Sequence, residues 1–149
     1  MSENRSAVVV DGLRKVFADT YSLYLKTQNY HWNVTGLHFA SLHAMFESQY
    51  EELAEAIDEI AERLRILGVP APGTFEEIQT LTSIKSGAAD QSADRMLSDL
   101  FEGHSSLNRA ITGVIREAGD ASDEGTVGLL SERLTSHEKA AWMLRSSLP

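Results

Sequence analysis

Between Phe39 and Leu67 the sequence places His43, Glu47, Glu51, Asp58 and Glu62 at helical spacing, with His31 twelve residues ahead of His43. At ~100° per residue they form one stripe, with small Ala54 among them. Imidazole mixed with carboxylates suits a borderline divalent ion such as Fe(II). An apolar stripe of Leu42, Phe46, Leu53, Ile57, Ile60, Leu64 and Leu67 runs beside it and is expected to face the subunit's own core. The His and carboxylate row should therefore be only partly exposed in a lone subunit. Ser48, Glu52, Glu55, Glu59 and Arg63 supply the outermost, solvated face.

Spacing limits what one chain can do. Asp58 and Glu62 are one turn apart and can reach one ion, as can His43 and Glu47. His43 and Asp58, fifteen residues apart, are separated by ~22 Å along a helix. Metal–ligand bonds are only ~2 Å long, so one copy of the helix cannot bring both pairs to one metal. Two antiparallel copies can. A two-fold axis between Tyr50 and Glu51 sets His43 of one copy opposite Asp58 of the other and creates two equivalent sites. A turn at Gly36 would return His31 alongside His43 as a second nitrogen ligand. The alternative of a di-iron site within one bundle uses Glu-x-x-His pairs. The residues three before the five histidines are Gln28, Thr35, Ala40, Phe101 and Leu134, so that pattern is absent.

The elements that must position these residues are helices. Apolar residues recur at three- and four-residue steps over Ser6–Trp32, Phe39–Leu67, Gln91–Ala118 and Glu124–Leu148. The first helix is preceded by a short arm over residues 1–6. Val127, Leu130, Leu134, Ala141, Trp142 and Leu144 are expected to point inward from the last helix. Thr74-Phe75-Glu76-Glu77 is a capping box that predicts a short helix over Phe75–Leu81. Ser83–Ala89 reads as loop. The reading is all-α: one domain over residues 1–149, a four-helix bundle with a short extra helix in a long link. That link leaves room for a crossover connection.

The 149 residues carry a formal net charge of −9 and no cysteine, which excludes disulfides and thiolate metal sites. The acidity favours gathering cations over binding phosphate backbones. No signal-peptide pattern and no long apolar run stands out, so a cytoplasmic protein with no membrane association is expected.

The run Tyr30-His31-Trp32-Asn33-Val34-Thr35-Gly36, then Phe39, Leu42-His43, Asp58, Ala61-Glu62-Arg63 and Leu67-Gly68, resembles the Dps family of ferritin-like proteins (DNA-binding proteins from starved cells). The Glu138-Lys139-Ala140-Ala141-Trp142 ending is also similar. The resemblance implies a hollow homo-dodecamer built from two-fold dimers. It implies ferroxidase sites holding His31 and His43 from one chain and Asp58 and Glu62 from the other, with Glu47 assisting a second iron and Trp32 beside the site. Fe(II) would be oxidised, commonly with hydrogen peroxide in preference to oxygen, and stored as ferric oxide, protecting the cell against oxidative damage. Zn or other divalent ions fit the same site. The alternatives are a nucleoid-associated DNA-protecting protein and a purely structural helical oligomer.

Two departures from the family pattern stand out. Gly128 occupies a position where the family often has an acid in the iron-entry pore, leaving Asp120, Asp123 and Glu124 as candidates. No Lys- or Arg-rich tail is present, so direct DNA binding is expected to be weak or absent. His38, His104 and His137 are read as surface or satisfied structural histidines, Trp142 as core, and Asp123 as a helix cap.

Overall fold

The protein, as a computed structural model, is described over residues 3–149, with side chains from Ser6 onward. Five helices follow one another: α1 (Glu3–Asn33), α2 (Phe39–Ile66), α3 (Phe75–Leu81), α4 (Ala93–Asp120) and α5 (Glu124–Ser146). The expected N-terminal arm is helical from Glu3; Met1 and Ser2 lie outside the described residues.

The helix ends follow the local chemistry. The chain reverses between α1 and α2 through Gly36, whose φ of 115° suits glycine. α2 stops in a Schellman turn, with Gly68 at φ 92° and the Val69 amide donating to the Leu64 carbonyl at 3.1 Å. Thr74 caps α3 by accepting from the Glu77 amide, and Ser92 and Asp123 cap α4 and α5 in the same way.

α1, α2, α4 and α5 form the bundle, with a core that includes Leu13, Leu23, Tyr30, Phe46, Leu53, Ile60, Leu64, Leu100, Leu107, Ile111, Leu130 and Leu144. α1 packs against both α2 and α4, and α5 closes the square against α4 and, more sparsely, α2. α2 and α4 therefore stand diagonally. Lys26 near the end of α1 pairs with Asp99 near the start of α4 at 3.1 Å, so these helices are antiparallel. α1 and α2 are antiparallel across their turn, so α2 and α4 run parallel. The link between them must then travel the length of the bundle, which makes it a crossover.

That link is held along α1. Asp19, buried in mid-α1, accepts from Thr82 Oγ1 at 2.8 Å and from the Ser83 amide at 2.7 Å. Further on, Asn29 donates to the Gly87 carbonyl, and the Tyr30 phenol accepts from Gln91. α3 packs against α1 alone among the helices.

Several sequence expectations are corrected. Trp142 is 57% exposed rather than core. Glu52 and Arg63 are not simply solvated: Glu52 pairs with buried Arg133, and Arg63 with buried Asp123. The carboxylates at 47, 51, 58 and 62, with Ala54, are exposed rather than half-covered. Among the described residues no helix is long and apolar enough to cross a membrane.

Candidate metal centre

α1 delivers His31 in its last turn and α2 delivers His43 in its second, and the turn at Gly36 brings them together. The rings stack with centroids 3.8 Å apart and planes 13° from parallel. His31 Nδ1 lies 2.7 Å from the His43 carbonyl oxygen, and His43 Nδ1 lies 2.6 Å from the His31 carbonyl oxygen. A carbonyl only accepts, so each Nδ1 carries a proton and Nε2 is the ring nitrogen left for a metal. Such backbone-anchored imidazoles are oriented for metal binding through Nε2. Phe39 stacks on His43 at 5.0 Å and Tyr50 meets the His31 ring edge-on at 5.2 Å, so aromatic walls hold the pair. Trp32, next in sequence, is 59% exposed.

Asp58 and Glu62 form the second pair, further along α2. A hydrogen bond between their carboxyls, then repulsion from the Asp58 charge, raises the Glu62 pKa above its ordinary value. Two neighbouring carboxylates one helical turn apart form an oxygen donor set suited to a cation. Glu47 lies one turn after His43 and is exposed. The chain thus joins His31 to His43 and Asp58 to Glu62, but does not bring the two pairs together. Among the described residues no three His, Asp or Glu in one chain are grouped to hold a metal.

Asp123, a candidate for the iron-entry pore, is committed elsewhere. Its carboxylate accepts from Arg63 at 2.6 Å and from the amide and hydroxyl of Thr126. Burial works to raise its pKa, but the Thr126 and Arg63 contacts outweigh it and hold it below the usual carboxylate value. Asp123 therefore caps α5 and also pins its start to the end of α2.

Of the two readings open for His104 and His137, surface or structural, the structure shows the structural one: both are buried, and their Nδ1 atoms lie 2.8 Å apart. His137 Nε2 is 3.1 Å from Arg133 Nη2, and Arg133 grips both Glu52 oxygens. Desolvation, then repulsion from Arg133, pushes His104 down to about 3, so the ring is neutral at physiological pH. Its Nε2 is buried without a partner, as are both amide atoms of Gln49. A signal was present: Leu130, Arg133, His137 and Leu144 share one inward helical stripe.

The whole chain can be set beside known proteins. The ferritin-like domain profile matches residues 10–148. A low temperature-induced protein of Nostoc sp. is 39% identical over 98% of this chain and 83% of its own length. DNA protection during starvation protein 2 of Bacillus anthracis is 36% identical over 94% of this chain and 96% of its own. The crystal structure of the DPS protein from Vibrio cholerae, described as a ferritin-like diiron-carboxylate protein, superposes with a TM-score of 0.93 at 31% identity, covering 98% of this chain and 92% of that one. With the bundle, its crossover and this breadth of likeness together, the chain belongs to the Dps proteins of the ferritin-like family.

Proposed function

We propose that this protein is a ferroxidase that oxidises Fe(II) at sites shared between two antiparallel copies of α2 and stores the ferric product inside a homo-oligomeric shell, a dodecamer by resemblance. The observation that carries this reading is the reciprocal hydrogen bonding of His31 and His43 to each other's carbonyls. It leaves Nε2 of both rings for a metal, His43 on α2 and His31 beside it at the end of α1, and the exposed strip of α2 also bears Asp58 and Glu62. Association is supported by apolar side chains left in solvent, including Leu37 at 94%, Phe75 at 81% and Ile66 at 71% exposure.

In this reading His31 and His43 of one subunit orient the Fe(II) substrate, and Asp58 and Glu62 of the other neutralise the charge that grows on oxidation. Glu47 stands near the histidines as an oxygen donor for a second iron. Two Fe(II) give two electrons to one hydrogen peroxide, which takes up two protons and leaves as two waters, so no hydroxyl radical is released. Protection of DNA, the role in the name of the Bacillus relative, then follows from removing Fe(II) and peroxide. It requires no contact with DNA, in keeping with the net charge of −9. A cytoplasmic location fits such a role.

The test is ferric absorbance after addition of Fe(II) and hydrogen peroxide to the assembled protein. His31→Ala/Asp58→Ala should lose the fast phase while keeping its helicity and assembly. Wild-type rates in that variant would rule the reading out.

A further inference from the structure

The sparsely packed seam between α2 and α5 holds a cavity of about 290 Å³, lined by Ser48, Gln49 and Glu52 from α2, His104 from α4, and Lys139 and Met143 among the residues of α5. It is separate from the His31–His43 centre. The tautomers around it can be worked out from Arg133. That guanidinium only donates, so His137 Nε2 must accept and His137 Nδ1 must carry the proton. His137 Nδ1–H then donates to His104 Nδ1. His104, being neutral, is left with its proton on Nε2: a buried N–H with no acceptor. The opposite tautomer would set two donors against each other at Arg133.

A protonated Nε2 cannot ligate a metal, so His104 presents an unmet demand for an acceptor. Gln49, 8% exposed, adds an unpartnered amide whose NH2 can donate, and Lys139 adds a positive charge. The Glu52 charge is taken up by the two-pronged contact with Arg133 and does not repel an incoming anion unopposed. Ala140 and Met143 offer apolar surface beside these donors. A single structural water, occupying about 30 Å³ of liquid, would leave most of the space unfilled.

We propose that this cavity binds a small carboxylate anion, its oxygens accepting from His104 Nε2–H and the Gln49 amide, its charge balanced by Lys139 and its short alkyl part lying on Met143. The site is independent of the iron chemistry.

Acetate serves as the probe, titrated into the assembled protein by calorimetry and thermal unfolding, with chloride at matched ionic strength and neutral acetamide as controls. Saturable binding and stabilisation by acetate alone are expected. Gln49→Leu and Lys139→Met should each weaken acetate binding about tenfold, the loss of one hydrogen bond to a charged group, while peroxide-driven iron oxidation by Lys139→Met stays at the wild-type rate. His104→Phe should abolish binding; should it fail to assemble, the other two variants decide. Equal effects of chloride or acetamide, or wild-type acetate affinity in Gln49→Leu and Lys139→Met, would overturn the assignment.

Discussion

His31 and His43 lock each other: each imidazole donates through Nδ1 to the other's backbone carbonyl, at 2.7 and 2.6 Å. The bonds span the end of one helix and the start of the next, so the turn between them fixes both rings at once. The nitrogen left for a metal on each ring, Nε2, follows from backbone geometry alone.

The proposed sharing of the iron site between two chains predicts complementation. Subunits carrying His31→Ala/His43→Ala lack the nitrogen pair, and subunits carrying Asp58→Ala/Glu62→Ala lack the oxygen pair. Each homogeneous assembly should oxidise Fe(II) at least about tenfold more slowly than wild type, the lower end of what a lost metal-orienting group costs. Mixed assemblies, refolded together, should regain one working site per mixed dimer. Stopped-flow absorbance that shows no recovery in the mixture would place both pairs' action within a single chain.

Asp123 should make stability acid-sensitive. Its folded pKa is depressed, so its contribution is present above the unfolded value of about 3.9 and is lost as pH falls through the lower folded value. Asp123→Asn should flatten the dependence of urea-unfolding free energy on pH below about 4. Asp123→Ala removes a helix cap and strands half-buried Arg63, and should cost about 2–4 kcal/mol at neutral pH. A variant as stable as wild type would mean that the Arg63 contact contributes nothing.

Ser122 is the one non-glycine residue with positive φ among the described residues, at 57°. It ends α4 in the same Schellman geometry that Gly68 gives α2, with the Asp123 amide donating to the Ala118 carbonyl at 2.8 Å. A side chain there carries left-handed strain of about 1 kcal/mol. Ser122→Gly should raise stability by up to about that amount in urea titrations, and Ser122→Val should lower it by more. Equal midpoints for all three would show the turn to be unstrained.

The crossover link docks tightly near its end. Tyr30 donates to Asp99 at 2.5 Å and accepts from Gln91 at 2.9 Å, and a Cβ added to Gly87 would overlap the Tyr30 phenol. Tyr30→Phe removes two hydrogen bonds, while Asp99 keeps Lys26 and Gln91 keeps the Ala88 carbonyl, and should cost about 1–2 kcal/mol. Gly87→Ala should cost about as much through overpacking. Because neither side chain belongs to the proposed iron site, Fe(II) oxidation in the surviving assemblies should keep its wild-type rate.

Most of the fold was legible because its punctuation is local. Gly36, Gly68 and the Thr74–Glu77 capping box set helix boundaries through short-range backbone chemistry, and the observed ends fall within about three residues of those expected. The approach of His31 to His43 was legible for the same reason, since one glycine turn joins them. Trp142 was misread because apolar residues on α5 are spread around the helix, so type alone did not say which faced inward. The His104–His137 pair was out of reach as a pair. It depends on which faces of α4 and α5 meet, a tertiary fact that no spacing within either helix encodes. Glu52 went the same way, its partner Arg133 being eighty-one positions distant.

The detour of the link along α1 has an architectural consequence. Had the chain returned from α2 by a hairpin, the next long helix would have been laid against α2 at once. Instead residues 67–92 run up the far flank, pinned at Asp19, and among the described residues no helix but α1 and α5 packs on α2. That helix is thus free to serve two neighbourhoods, one apolar and private to the subunit, the other polar and offered outward. Docking a second copy there asks for no refolding of either.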